Sequence, residues 1–164
     1  MESYHTKGGT KLKEILHKIK ENNFFIFILI FAEILIIPFF NKNNDIYVDD
    51  GSQHLMRAYG TYQSLLQNKS GNIISNFTNG FGYSWDLFYG PLSAYLIILF
   101  GNVFGTFNIG FKIAMFLIIF LAGLCMYKFV NEITESKNTA LLAGIIYMCS
   151  PYFFTDIYVR HAVR

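Results

Sequence analysis

Leu92 to Phe107, LSAYLIILFGNVFGTF, is the stretch on which the topology turns. It is apolar but short for a bilayer crossing, which takes about 20 residues, and Gly101 and Gly105 interrupt its second half. Were it a span, the next loop would be only the uncharged stretch around Gly105 to Gly110. If it lies along the outer interface, Ile109 to Val130 becomes the second crossing and places Lys128 and Lys137 in the cytoplasm. Positive residues gather on the cytoplasmic side, so the interfacial reading is preferred.

Upstream, Phe24 to Phe40 is the first long apolar run, with Pro38 near its outer end and Glu33 in its middle. A carboxylate at that depth is either functional or a hydrogen-bonded group facing other helices. Residues 1–23 carry five lysines, and Leu12, Ile15, Leu16 and Ile19 recur at helical spacing. This predicts a basic amphipathic lead on the cytoplasmic side. No small-residue cleavage site follows the apolar run, so the first helix is read as uncleaved.

The chain therefore reads as an all-α, multispanning helical membrane protein of about three transmembrane helices, with a long outer loop carrying juxtamembrane helices. The spans are 24–40, 108–130 and 139–155. The outer loop is 41–107, with interfacial helices at about 52–68 and 91–104. A cytoplasmic loop follows at 131–138, and an outer segment at 156–164. The sequence stops at Arg164 directly after an apolar segment, which points to a fragment of a larger protein.

Composition agrees. With 53% hydrophobic and 15% charged residues, and a mean hydropathy of +0.35, the chain is too apolar for a soluble domain of its size. The lipid bilayer is its first expected partner. A net charge of +2 without a basic, aromatic-laced stripe gives no case for nucleic acid. Cys125 and Cys149, far apart in apolar runs and without metal-ligand spacing, read as core thiols.

Ionisable groups crowd into Tyr47 to Tyr59, YVDDGSQHLMRAY, just beyond the first span. Asp50, His54 and Arg57 stand at i, i+4 and i+7 across a helix start, followed by an apolar stripe of Leu55, Tyr59, Tyr62 and Leu66 reinforced by Ala58 and Leu65. An acid there can accept a proton from a hydroxyl or hold a divalent metal, and Arg57 suits a phosphate. Alternatively, Asp50 and Gln53 form a capping box, leaving Asp49 for chemistry. The aromatics Phe81, Tyr83, Trp85, Phe88 and Tyr89 form either an interfacial belt or stacking faces for sugar or lipid. Asp86 among them is a further candidate. In SPYFFTDIYVR, Asp156 and Arg160 are spaced for an intrahelical ion pair. The other reading carries Arg160 to the cavity of Asp50.

This order of parts resembles the GT-C superfamily of membrane glycosyltransferases. DDGSQHLMR looks like the first-loop acidic motif of that family, with Asp50 in the place of the essential acid, and SPYFFTDIYVR sits where an outer-loop arginine is expected. HLMR, GFGYSWDLFYGPLSAYL and SPYFFTDIYVRHAVR together look like bacterial multispanning proteins with a 6-pyruvoyl-tetrahydropterin synthase related domain, near the YfhO-like group. The resemblance implies a polyprenyl-phosphate-linked sugar donor and an inverting transfer at the outer face of the cell membrane. Asp50, with Asp49, would be the catalytic acid pair or would hold a divalent metal such as Mg or Mn. His54, Arg57, Asp86 and Arg160 would bind substrate and phosphate. The family has many more spans, so a chain of three holds only part of such a site.

Overall fold

The computed structural model describes residues 23–40, 50–67, 69, 74, 81–84 and 87–161. They form α1 (Asn23–Phe40), α2 (Asp50–Leu66), α3 (Leu92–Phe104), α4 (Phe107–Thr134), α5 (Lys137–Met148) and α6 (Pro151–Tyr158). One antiparallel bridge, Ile74 to Tyr83, is the extended pairing among the described residues. The expected basic lead lies outside them.

α1 and α4 are each long and apolar enough to cross a membrane, and α5 with α6 qualifies as one crossing bent by 46°. The protein is thus an all-α membrane protein with two or three candidate spans. α3, with 13 residues, rises about 20 Å, less than the roughly 30 Å of a hydrocarbon core.

α1 buries Ile28, Ala32, Ile36 and Phe39, one stripe at helical spacing. It runs antiparallel to α4: Phe24 stacks on Tyr127 at 6.0 Å near one end, while the Lys112 ammonium lies 5.6 Å from the Phe40 ring near the other. Pro38 lacks an N–H, which disturbs the helical ladder in the turn before it. There the Leu35 carbonyl accepts from the Tyr158 hydroxyl, tying α6 to α1.

Glycines bring the backbones together. Gly105, at φ 90°, ends α3 in the left-handed region, and Thr106 caps α4 by accepting from the Ile109 N–H at 3.3 Å. α3 folds back on α4 so closely that a Cβ on Gly110 would stand 2.4 Å from the Ile97 carbonyl oxygen and 2.6 Å from the Gly101 nitrogen. A Cβ on Gly123 would be 2.5 Å from the Met148 sulfur, and one on Gly144 3.0 Å from the Gly123 carbonyl, so α4 and α5 also pack on small residues. This is how helices associate in lipid, where there is no hydrophobic drive between them.

Two expectations change, those for the third span and for the cysteines, and the structure settles which way α2 faces. The third span, read as one helix over 139–155, breaks between Met148 and Pro151, because proline cannot continue the ladder and restricts the residue before it. The inward face of α2 is Gly51, Leu55, Ala58, Thr61 and Ser64, while Tyr59, Leu65 and Leu66 point outward. Small side chains permit close approach, and lipid can cover the large apolar ones. Cys125 and Cys149 lie on exposed faces and not in the core.

Substituting Gly110 by Ala therefore forces two backbones apart and should cost about 1–3 kcal/mol. Gly123→Ala displaces only the flexible end of Met148 and should cost less. Gly90→Ala, with nothing within 4 Å of the new Cβ, should be near neutral. Thermal denaturation midpoints of the detergent-solubilised variants should fall in that order, with Gly110→Ala lowest.

Candidate functional site

A cleft of about 530 Å³ opens among α2, α3, α4 and the end of α6. Asp50, His54, Arg57, Tyr83, Tyr89 and Arg160 supply its polar lining, and Leu92, Leu96 and Ile118 an apolar wall.

Asp50 and Arg160, 110 positions apart, meet here twice. The Arg160 guanidinium donates through Nη2 to Asp50 Oδ2 at 2.7 Å, and the Asp50 main-chain N–H donates to the Arg160 carbonyl at 3.0 Å. The second bond satisfies an N–H in the first turn of α2, where no intrahelical acceptor exists. Gln53 Oε1 accepts instead from Arg57 Nη2 at 2.8 Å. The two ends of the possible capping box are thus engaged elsewhere. The intrahelical pair forms as well, Arg160 Nη1 to Asp156 Oδ1 at 3.2 Å. Arg160 stands between two carboxylates, and Asp50 above all, against some burial, raises its affinity for its proton further. Both side chains of the Asp50 pair stay partly open, 34% for Arg160 and 27% for Asp50, so incoming molecules can reach them.

His54 and Arg57 follow Asp50 on the same side of α2 and are half-buried. Burial pushes the Arg57 guanidinium below its ordinary value, opposed by the Tyr83 phenol and the Asp50 carboxylate. A charge held at a desolvation cost gains more than an exposed one from an anion placed beside it. Tyr83 is fixed by exchanging both main-chain bonds with Ile74, at 2.9 and 3.0 Å.

Of the residues singled out in the sequence, Asp50, His54, Arg57 and Arg160 converge on this cleft. Asp49 and Asp86 lie outside the described residues. No group of three His, Cys, Asp or Glu side chains converges among the described residues, and the Asp50 carboxylate already faces a guanidinium. The described part of the cleft does not suit a divalent metal.

His161 was not singled out by sequence reasoning. It is buried at a φ of 52°, a left-handed conformation that costs a non-glycine residue energy. Its ring packs 4.9 Å from that of Phe39, fixing the chain just after Arg160 against the end of α1. Nothing in its sequence setting distinguishes it from a surface histidine. The apolar wall of Leu96 and Ile118 was equally illegible, since it depends on how α3 folds onto α4.

A protein of Lactococcus lactis subsp. cremoris (strain MG1363), described only as uncharacterized, is 29% identical over 152 residues, which cover 87% of this chain and 24% of that protein. The chain spans about a quarter of the length of that relative. No protein-family profile matches the chain, and no solved structure does.

If the Asp50 and Arg160 side chains act as one unit, Asp50→Asn and Arg160→Gln should not be additive. Asp50→Asn leaves Arg160 with Asp156 alone and Arg160→Gln leaves Asp50 without its cation, so the double variant should lose less stability than the sum of the two. A double-mutant cycle on thermal midpoints measures this; strict additivity would mean that the pair contributes nothing to the fold.

Proposed function

We propose that the cleft receives the phosphate end of a polyprenyl-phosphate-linked sugar, and that the chain is the N-terminal part of a GT-C-like glycosyltransferase working at the outer membrane face. The observation that carries this reading is the mixed lining: two guanidiniums, an acid and a histidine share one cleft with an apolar wall. An amphiphile with an anionic head and an apolar tail matches both. Guanidiniums engage phosphate oxygens through paired, charge-assisted hydrogen bonds. The start of α3 at Leu92 and Ser93, which no side chain caps, opens on the same cleft and adds the positive end of a helix dipole. Tyr83 and Tyr89 offer ring faces to a sugar.

In this reading Arg160 exchanges the Asp50 carboxylate for the phosphate and keeps its bond to Asp156. Asp50 then takes the proton of the acceptor hydroxyl while that oxygen attacks the anomeric carbon opposite the phosphate. The sugar–phosphate bond breaks, and the lipid phosphate leaves with the electron pair, its charge held by Arg57 and Arg160. The configuration at the sugar inverts. Orientation follows from charge: the α4–α5 turn with Lys137 lies at the bundle end opposite the cleft, so the positive-inside rule puts the cleft outside.

The completeness of the Asp50–Arg160 contact favours a second reading, in which the pair is a structural clasp and the cleft belongs to a non-catalytic lipid-binding or membrane-assembly component.

Two measurements separate these. Purified chain should bind a polyprenyl phosphate at least about tenfold more tightly than the matching polyprenol, and Arg57→Ala or Arg160→Ala should remove the difference. In membranes that carry the full-length protein and are supplied with a polyprenyl-phosphate-linked sugar, Asp50→Asn should cut transfer by about 10²–10⁴ while leaving that binding in place. Phosphate-selective binding with no transfer by the unaltered full-length protein would select the non-catalytic reading, and equal binding of phosphate and alcohol would contradict the assignment of the cleft to a lipid phosphate. For orientation, with Cys125 and Cys149 replaced by Ser, an impermeant thiol reagent on intact cells should label Val159→Cys and spare Ser136→Cys.

A further inference from the structure

The contacts of α1 with α4 set a depth scale for the whole bundle. At one end the Phe40 ring lies 5.6 Å from the Lys112 ammonium, and the polar run NKNND follows Phe40 directly in the sequence. The hydrocarbon ends near that level. At the other end Phe24 stacks on Tyr127, so α4 between Lys112 and Tyr127 stands at bilayer depth. α3 returns on α4 through the turn at Gly105 and Thr106, and its Gly101 backbone lies against Gly110. From there α3, traced backwards, descends along α4. Leu92 lies nine positions before Gly101, and Leu92 and Leu96 share a wall of the cleft with Ile118, six positions beyond Lys112. At 1.5 Å per residue, either path puts the start of α3 about 10 Å below the Phe40 level, toward the Phe24 end.

We propose that residues 87–92 and the first turns of α3 form a re-entrant element, sunk about 10 Å into the leaflet on the cleft side of the bundle and coated by its acyl chains. The later end of α3 rises out of the hydrocarbon. Sequence and exposure fit that depth: Leu87 to Phe104, LFYGPLSAYLIILFGNVF, contains no charged residue, and Phe88 and Leu92 are 80% and 70% exposed. Irregular backbone is tolerated in hydrocarbon only where its polar groups are bonded or line a cavity. Here the Leu87 N–H donates to the Ser84 carbonyl at 3.3 Å and the Tyr95 N–H to the Pro91 carbonyl at 3.1 Å. Pro91 has no N–H to satisfy, and Tyr89 and Gly90 line the cleft. Leu92 belongs to the cleft and to the exposed surface at once, so the apolar wall of the cleft continues into the leaflet. This placement goes beyond the functional reading, since it follows from the register of α3 on α4 whether or not the cleft is catalytic.

Spin labelling of the full-length protein in phosphatidylcholine vesicles tests this, with the native cysteines replaced by Ser. Nitroxides on Leu92→Cys, Leu99→Cys and Val103→Cys, all at exposed positions of α3, report depth through collisions with oxygen, which concentrates in hydrocarbon, and with a nickel chelate, which stays in water. Exposed positions on α1 calibrate the scale: Phe40→Cys marks the interface, and Ile34→Cys lies six positions deeper, about 9 Å. Leu92 should match Ile34, Val103 should lie at or above Phe40, and Leu99 should fall between. A second measurement needs no bulky label. In membrane fragments open to both sides, Phe88→Cys and Leu92→Cys should resist an impermeant thiol reagent until detergent is added, while Val103→Cys reacts at once. Equal depths at the three α3 positions, as for a helix lying flat, would overturn the proposal. So would a reversed gradient, or a Leu92 label shielded from oxygen and nickel alike beneath another part of the protein.

Discussion

The cleft exists because the start of α2 and the end of α6 are fastened together. The Asp50 N–H bonds to the Arg160 carbonyl, and the Arg160 guanidinium bonds to the Asp50 carboxylate. Without that junction, Arg160 is only the end of a short helix and Asp50 only the start of another. The side-chain pair is partly open to solvent, so its Coulomb attraction is modest. Its importance lies in closing a chain loop of 110 positions and placing a cation and an acid on one wall.

What makes the junction reachable is the packing behind it. α1, α4 and α5 stand together through aromatic contacts and through Gly123 and Gly144. The break before Pro151 then redirects α6 so that Tyr158 reaches the Leu35 carbonyl and His161 packs on Phe39. Arg160 lies between these two anchors. A straight third span would have no reason to turn toward α2. The kink that departs from the sequence expectation therefore belongs to the feature that assembles the cleft.

The membrane character and helix order were legible in the sequence because hydropathy and charge act locally. Phe24 to Phe40 and the run after Phe107 announce themselves by length and composition. Asp50, His54 and Arg57 could be read together because they lie on one helix at fixed spacing. The meeting of Asp50 with Arg160 could only be offered as one of two options, since long-range placement depends on a bend at Pro151 that propensity alone does not orient. The periodicity of α2 could not say whether its apolar stripe meets the membrane or the spans; small residues such as Thr61 and Ser64 turn to the neighbouring helices because beside lipid they make the closer contact.

Cysteines placed at positions 50 and 160, with Cys125 and Cys149 replaced by Ser, test the junction most directly. A main-chain hydrogen bond already joins these positions at 3.0 Å, so the pair should cross-link in membranes within a single molecule under mild oxidation or with a short bifunctional reagent. No intramolecular cross-link, with both thiols still open to labelling, would show that α2 and α6 do not meet and that the cleft is not assembled as described.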